Sequence, residues 1–269
     1  MVSSPRRMLS GSTLKWIAMG TMLVDHVSKV FAGRWLPALA GASGLGGTGT
    51  TVLYTALFGI GSMTVYIFAW MIAEGCRYTR SFGRYLARLL LFAAVSEAPF
   101  QLMLCAIGGE PLRLHIGLTN VLFTLALGAV ACRGYRTLLD RGWQAWALLL
   151  PVICMAAAAL LGTDYGLFGV LAVFVCYAVD DRRNRLLALS GVIVLCRGIV
   201  FPVEDILAYG FEAGYLAVYA LELAWSLFAV PALAAYDGTR GKRGMKYLFY
   251  LFYPIHMSVL VLLYSLASR

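Results

Sequence analysis

Three ionisable side chains stand close together in the apolar stretch MLVDHVSKV, residues 22–30: Asp25, His26 and Lys29. A charge at the centre of a bilayer costs about 2.5–3.5 kcal/mol on insertion scales, so such groups usually pair or line a cavity. Asp25 and Lys29 are four residues apart, which predicts an ion pair along one helix face. Asp25 and His26 point about 100° apart on a helix, so they cannot form a simple hydrogen-bonded pair. His26 is therefore predicted to face a cavity.

An imidazole has a reference pKa of about 6.5, so His26 can accept a proton near neutral pH. A desolvated site favours its neutral form, which is the form that a general base needs. The alternative is that His26 only forms a hydrogen bond with a neighbouring helix. The neighbouring Asp25 and Lys29 favour the catalytic interpretation.

Further polar residues are predicted at membrane depth in other helices, so several helices are expected to share one polar centre. Glu97 precedes Pro99, which should kink its helix. The carboxylate of Glu97 could pair with Lys29 or Arg197 or anchor an incoming amine. Alternatively, it could be a protonated acid that is satisfied by the kinked backbone. His256, beside Pro254 in FYPIHMSVL, has the same ambiguity, and Glu222 carries a weaker signal.

Arginines and hydroxyl groups alternate in EGCRYTRSFGRYLAR, the predicted loop between the second and third helices. Guanidinium groups match phosphate geometry, and backbone amides can approach a phosphate at glycine. The predicted phosphate ligands are Arg77, Thr79, Arg84, Tyr85 and Arg88. The tendency of cytoplasmic loops to be basic explains most loops of this kind, but it does not require Arg84 and Arg88 to lie one turn apart.

The composition is that of an integral membrane protein, with 61% hydrophobic and 13% charged residues and a mean hydropathy of +0.80. The net charge of +9 does not indicate nucleic-acid binding, because its distribution follows membrane topology. Six cysteines lie singly in or beside apolar runs, so we expect no disulfide framework and no metal site.

The predicted fold is an all-α bundle of about nine transmembrane helices in a single domain, residues 1–269, with a cytoplasmic N-terminus and an inner-membrane location. Most of the 22 Lys and Arg then fall on the cytoplasmic side, because every second loop is basic. Residues 41–50, GASGLGGTGT, are predicted to form a flexible loop between the first two spans. The nine spans are predicted near residues 14–33, 52–75, 85–107, 117–133, 144–162, 165–179, 186–201, 214–235 and 247–266.

The sequence resembles the TraX family of inner-membrane proteins, known for acetylating the N-terminus of pilin. The first matching block is LKWIAMGTMLVDHVSKVF, and the second runs from VYIFAWMIAEGCRYTRSFGRYLAR to LLLFAAVSEAPFQLML. Later blocks are GLTNVLFTLALG, DYGLFGVLAVF and KYLFYLFYPIHMSVL. The resemblance covers nearly the whole chain in the family's order.

The resemblance implies an acetyltransferase whose first-helix histidine faces acetyl-coenzyme A. It makes His26 the catalytic base and Asp25 its supporting acid, and it gives the coenzyme's phosphates to Thr79, Arg84, Tyr85 and Arg88. The acceptor is expected near Asn120, Tyr165, Arg197 and His256. Lys29, Arg197 or Asn120 would stabilise the thioester oxyanion. Glu97 is the remaining member of the predicted catalytic residues.

Several alternatives stay open at the level of sequence. The acceptor could be an amine of a peptide or pilin, or a hydroxyl of an envelope glycan, and transfer could be direct or pass through an acetyl-histidine. A proton-coupled transporter would use Asp25, Glu97 and His256 as a relay, although no inverted repeat is visible. A non-catalytic assembly factor for small membrane peptides would not need the polar centre.

Overall fold

The computed structural model describes residues 8–44, 46–213, 215–242 and 246–267. Over these residues the fold is all-helical, as predicted, with one isolated bridge between Leu9 and Tyr236. A 3₁₀ turn, Gly59–Gly61, joins α3 to α4, and a π-helical segment, Val194–Val200, joins α9 to α10. The helices are α1 (Gly11–Val30), α2 (Ala32–Ser43), α3 (Gly47–Phe58), α4 (Ser62–Tyr78), α5 (Phe82–Gly108), α6 (Val121–Asp140), α7 (Gln144–Leu160), α8 (Gly166–Ala178), α9 (Arg182–Ile193), α10 (Phe201–Tyr209), α11 (Tyr215–Leu227), α12 (Ala229–Ala234) and α13 (Lys246–Ala267).

Six helical stretches in the described part of the chain are long and apolar enough to cross a bilayer. The helices α7 and α8 are apolar but shorter, and the polar residues of α1 interrupt its apolar run. The protein is thus a multi-pass membrane protein, while the count of nine spans and the side of the N-terminus stay predictions. The six stretches are Gly49–Tyr78, Phe82–Gly108, Val121–Asp140, Arg182–Tyr209, Tyr215–Ala234 and Tyr247–Ala267.

The prediction of a flexible loop at residues 41–50 is wrong for residues 41–43 and 47–50, which are helical, while residue 45 lies outside the described residues. Residues up to Ser43 belong to α2, which ends at Gly44 in a left-handed conformation, with a φ of 63°. The next helix, α3, already begins at Gly47. The hydroxyl of Thr51 donates to the carbonyl of Gly47 at 3.1 Å, which gives the glycine-rich stretch a local partner within the helix.

The seventh predicted span, near residues 186–201, ends too early. The helix continues through the π-helical segment and α10 to Tyr209, and the chain turns at Gly210, where φ is 87°. Pro99 and Pro254 lie inside α5 and α13, which continue through them.

The core lies where α4 passes between α1, α6 and α8. Trp70, Tyr66 and Ile67 of α4 are almost fully buried there with Leu14 of α1. Small residues allow close helix approach, since a Cβ on Gly128 would lie 2.8 Å from Val173. Large apolar side chains such as Leu91 of α5, which is 59% exposed, lie on the outer surface, as expected for a protein solvated by lipid.

Candidate active site

A cavity of about 1530 Å³ runs through the bundle, lined mainly by α1, α4, α5, α6 and α13. It is larger than the roughly 300–1,000 Å³ of common small-ligand pockets. Along α5 its lining extends from Arg84 to Ile107, which at a 1.5 Å rise per residue is about 35 Å, close to the thickness of a bilayer core. A long ligand could therefore enter at one end and place a reactive group at membrane depth.

One end of the cavity, here called the basic end, is rich in cationic side chains from α1, α5 and two loops. The buried Nε of Arg88 has no hydrogen-bond partner among the described residues. Arg84 donates from Nε to the hydroxyl of Ser81 at 3.1 Å and keeps its other nitrogens available. An anion with several phosphate oxygens suits these donors. The cations of the basic end are Lys15, Arg80, Arg84, Arg88, Arg240 and Lys242.

The loop that carries Arg240 and Lys242 is held against the start of α1. The N–H of Gly11 donates to the carbonyl of Thr239 at 2.7 Å, and the N–H of Lys242 donates to the hydroxyl of Ser12 at 3.2 Å. A hydrogen bond from the backbone of Thr239 lowers the pKa of Asp237. These bonds fix the second basic loop beside Lys15 at the same opening.

Deeper in the cavity, the three polar residues of α1 form the centre of what we call the cavity cluster: Asp25, His26, Lys29 and Arg197. Lys29 Nζ lies 2.8 Å from Asp25 Oδ1, which is the intrahelical ion pair that the spacing predicts. Asp25 Oδ2 lies 3.7 Å from His26 Nε2, which is too long for a hydrogen bond. All three side chains line the cavity.

His26 also has a partner on α13 that its own sequence context does not indicate. Its Nδ1 lies 2.8 Å from Nε2 of His256, and the two ring planes differ by only 9°. Nδ1 of His256 lies 2.7 Å from the carbonyl oxygen of Phe252, one turn earlier on α13. His256 is buried and stands behind His26, outside the lining of the cavity.

Arg197 enters the cavity from the π-helical segment between α9 and α10. Its NH1 lies 3.3 Å from Glu222 Oε2, while its guanidinium lies 5.4 Å from the ring centroid of Tyr165 and 4.9 Å from that of Phe201. Its buried Nε has no hydrogen-bond partner in the described part of the chain. A π-helical turn is common at functional sites, where it displaces one side chain from the regular helix surface.

Glu97 is not part of this cavity and instead closes the loop before α6. Oε1 accepts from the N–H of Thr119 at 2.8 Å, from its hydroxyl at 2.6 Å and from Nε2 of Gln101 at 2.8 Å. Oε2 accepts from the backbone N–H and the side-chain amide of Asn120. We call Glu97, Gln101, Thr119 and Asn120 the capping cluster. Glu97 pairs with neither Lys29 nor Arg197 in the structure.

Asn120 is fully buried and has no donor left for a substrate. It is the N-cap of α6, where its Oδ1 accepts from the N–H of Leu122 at 3.0 Å and its Nδ2 also donates to the carbonyl of Ala93 at 2.8 Å. The carbonyl of Thr119 accepts from the N–H of Asp164 at 2.6 Å. The capping cluster thereby supports the loop that presents Asp164 and Tyr165 to the cavity.

Arg77 also lies outside the cavity lining. It donates to the carbonyls of Tyr177 and Val179, and it lies 3.4 Å from Asp180 Oδ1, so it ties α4 to the loop after α8. The structure thus brings together most, but not all, of the predicted site. Of the predicted residues, Asp25, His26, Lys29, Thr79, Arg84, Tyr85, Arg88, Tyr165 and Arg197 line the cavity, whereas Arg77, Glu97, Asn120 and His256 do not.

Some residues at the cavity were not predicted as site residues. Lys15, Arg240 and Lys242 were visible in the sequence as part of the alternation of basic loops, but their convergence depends on the contacts between α1 and a distant loop. Asp164 lines the cavity at the end of the loop between α7 and α8. The only signal for it was its position beside Tyr165 in DYGLFGVLAVF.

Comparisons with known proteins give a family match over most of the chain. The profile of the family described as "TraX protein" matches residues 10–264. A "Probable fimbrial assembly protein FimC, serogroup H1" from Dichelobacter nodosus is 28% identical over 203 residues, which are 72% of this chain and 74% of that protein. No solved structure matches the chain. The family match extends from the start of α1 almost to the end of α13, and the protein therefore belongs to the TraX family.

Proposed function

We propose that the protein is a membrane-embedded acetyltransferase that moves an acetyl group from cytosolic acetyl-coenzyme A to an amine or hydroxyl of an envelope component. The observation that carries the proposal is the continuous cavity that joins the basic end to His26. A coenzyme A thioester has the matching shape, with phosphates at one end and a reactive acyl group at the end of a long flexible arm. Membership of the TraX family supports the proposal.

The phosphates of the donor bind at the basic end in this proposal. The unpartnered Nε of Arg88 and the open side of Arg84 supply charge-assisted hydrogen bonds, and Thr79 and Tyr85 stand beside them on the lining. The pantetheine arm then follows α5 inward. Its apolar and amide groups meet a wall that mixes Met19, Leu89 and Leu125 with polar side chains.

His26 is the general base, and its Nε2 takes the proton from the attacking nitrogen or oxygen of the acceptor. The nucleophile forms a bond with the thioester carbonyl carbon, and the carbon–sulfur bond then breaks. The coenzyme leaves as a thiolate, which takes the acceptor's proton from His26. Asp25 stabilises the imidazolium that exists between these two proton transfers, because its Oδ2 lies 3.7 Å from Nε2. In direct transfer, the protein groups that act on the reacting atoms all belong to the cavity cluster.

The oxyanion that forms on the thioester needs a donor that is not already occupied. Arg197 meets this condition because its buried Nε has no partner among the described residues. Lys29 is a second donor, with its Nζ held by Asp25 and about a third of its side chain exposed to the cavity. Asn120, which the sequence suggested for this role, is left out because its amide is bound to Ala93 and Glu97.

The acceptor is a membrane-associated peptide in the form of the proposal that we favour. The relative in Dichelobacter nodosus is named for fimbrial assembly, and a protein subunit carries a terminal amine that can accept an acetyl group. The cavity has apolar walls at the end far from the arginines, where Phe100, Met103 and Ile107 line it. A glycan hydroxyl is the competing acceptor.

The test uses radiolabelled acetyl-coenzyme A with the purified protein in nanodiscs and with membranes that contain candidate acceptors. The wild type should bind the donor and transfer label to a membrane peptide or glycan. His26→Ala should bind it equally well and transfer label about 10²–10⁴-fold more slowly. The matched control is His115→Ala, because His115 is an exposed loop residue.

Two results would count against the proposal in different ways. Turnover by His26→Ala at the wild-type rate would remove His26 from the mechanism. A wild-type protein that neither binds the donor nor transfers its acetyl group to any membrane fraction would remove the enzyme proposal itself. Mass spectrometry of acetylated peptides and glycans from cells with and without the protein would identify the acceptor.

A proton-coupled transporter is less well supported. Its relay would need Asp25, Glu97 and His256 along one route, but only Asp25 lines the cavity. Glu97 is occupied by five donors, four from Thr119 and Asn120 before α6 and one from Gln101 of α5. A proton flux that depends on Glu97 and is independent of coenzyme A would favour the transporter.

A further inference from the structure

His256 stands directly behind the proposed base. A histidine acts as a base only through a ring nitrogen that carries a lone pair, so its tautomer decides whether the correct nitrogen faces the substrate. In His26 the two nitrogens have different surroundings: Nδ1 meets His256 at 2.8 Å, and Nε2 is on the side of Asp25 and the cavity.

The carbonyl of Phe252 fixes the first link of this chain. A carbonyl oxygen can only accept, so Nδ1 of His256, at 2.7 Å from it, must carry a hydrogen. His256 is 6% exposed, and burial favours the neutral ring. A neutral ring protonated at Nδ1 has its lone pair on Nε2.

The second link follows from the first. Nε2 of His256 is then an acceptor, so Nδ1 of His26 must be the donor in the 2.8 Å contact. The rings are nearly parallel, at 9°, and their nearest nitrogens are much closer than their centroids, which are 5.1 Å apart. They therefore meet edge to edge, which is the geometry of a hydrogen bond between two imidazoles.

We propose that His256 is a positioning residue that holds His26 in the tautomer protonated at Nδ1, so that Nε2 presents its lone pair to the cavity. This inference rests on the proposed role of His26 as the base. It also assigns His256 a function other than contact with the acceptor. The backbone carbonyl of Phe252 on α13 thus sets the direction of both hydrogen bonds, the one that it accepts from His256 and the one that His256 accepts from His26.

The protein contains only three histidines, which makes a direct spectroscopic test practical. In protein labelled with ¹⁵N at histidine, nitrogen chemical shifts and long-range couplings to the ring protons report the tautomer of each ring. His115→Gln removes the exposed ring and assigns its signals without touching the pair. The wild type should show both His26 and His256 protonated at Nδ1.

Two substitutions at position 256 separate the hydrogen bond from simple packing. His256→Gln places an amide near the former Nε2, where its oxygen can accept from His26; it should preserve the Nδ1 tautomer and keep kcat within about tenfold of wild type. His256→Phe fills the space with no acceptor; it should release His26 to the Nε2-protonated form and lower kcat by at least about 100-fold with little change in the KM for acetyl-coenzyme A.

The inference is overturned if wild-type His26 is protonated at Nε2, or if His256→Phe changes neither its tautomer nor kcat. Equal losses of kcat in the Gln and Phe variants with an unchanged His26 tautomer would also overturn it, since they would indicate packing alone. The tautomer is measured without turnover. A protein that shows the predicted spectrum but no acetyl transfer would therefore contradict the proposed function and leave the hydrogen-bond chain intact.

Discussion

Two clusters of polar side chains lie inside this bundle, and they differ in how completely their hydrogen-bonding groups are used. The capping cluster surrounds one carboxylate, Glu97, with five donors from the residues just before α6 and from the next turn of α5. The cavity cluster pairs Asp25 with Lys29 but leaves the Nε of Arg197 without a partner among the described residues.

The difference indicates why polar residues at similar depth have different roles. A carboxylate with a full set of donors is a structural anchor, because binding a ligand would require breaking bonds that already exist. A group that faces a cavity with unused donors can bind a ligand without that cost. Residue type alone cannot separate the two cases, since each cluster contains an acid that lies within an apolar helix.

The largest effect is expected from the cavity cluster. Asp25→Ala should lower kcat by about 10²–10³-fold, because the imidazolium on His26 loses the carboxylate that stabilises it. It also leaves Lys29 without its counter-charge, so a loss of stability would complicate the result. The measurement is the rate of label transfer per folded molecule.

The double variant Asp25→Ala/Lys29→Ala is the control for this complication. Removing both charges should restore much of the stability lost in the single variant and leave kcat low. A single variant with kcat within threefold of wild type would show that the two clusters do not differ in catalysis as proposed.

Substitutions in the capping cluster should lower stability and leave catalysis almost unchanged. Glu97→Ala should lower the free energy of unfolding by about 2–3 kcal/mol, because several buried donors lose their acceptor together. The turnover of the protein that remains folded should be close to wild type. Thermal unfolding can be followed with a thiol-reactive dye, since Cys132, Cys176 and Cys196 are fully buried and react only on unfolding.

Glu97→Gln keeps one acceptor oxygen and should fall between the wild type and the alanine variant. A kcat that falls by more than about tenfold in Glu97→Gln at unchanged stability would contradict the structural role and return Glu97 to the catalytic set.

The sequence predicts the fold class well because its main signal, long apolar runs between basic loops, is local. It also predicts the ion pair of Asp25 with Lys29, which depends only on spacing within one helix. It misses the helical state of most of residues 41–50, where α2 ends at a glycine C-cap and α3 packs against α1 and α11 despite the loop-forming composition.

The predicted site residues that lie outside the cavity lining share one property: their partners lie far away in the chain. Glu97 meets Thr119 and Asn120 across a loop, and Arg77 meets the carbonyl of Val179 beyond four further helices. His256 joins His26 from the opposite end of the chain. Their polarity marks them as unusual in a membrane, but only the packing shows which of them reach the cavity.

Arg88 lines the cavity and Arg77 does not, although both belong to the same arginine-rich motif. Substituting each in turn tests whether only the arginine at the cavity binds the donor. Arg88→Ala should raise the KM for acetyl-coenzyme A by about 10–30-fold with a smaller change in kcat, because a charge-assisted bond to a phosphate is lost. The affinity of the wild type should fall with added salt more steeply than that of the variant. Steady-state kinetics at two salt concentrations measure both effects.

The comparison arm is Arg77→Ala, which removes a guanidinium from the same motif but outside the cavity. Its KM should stay within about threefold of wild type, while its melting temperature falls because the carbonyls of Tyr177 and Val179 lose a donor. Equal changes in KM for the two variants would mean that the basic loop acts only as a diffuse charge.

The backbone behind the cavity cluster is tightly packed at one glycine. A Cβ on Gly61, in the 3₁₀ turn, would lie 2.3 Å from Cβ of Asp25, whereas one on Gly20 of α1 would meet nothing within 4 Å. Gly61→Ala should therefore force the 3₁₀ turn away from α1 and lower the free energy of unfolding by about 2–3 kcal/mol, the upper part of the range for overpacking, because the Cβ of Asp25 is fixed to its backbone and cannot rotate away. Gly20→Ala should be neutral or slightly stabilising, since alanine is the better helix former. If Gly61→Ala also lowers kcat while Gly20→Ala does not, the close approach of the 3₁₀ turn to α1 sets the geometry of the base. Equal kcat values in both variants would show that this approach contributes to packing alone.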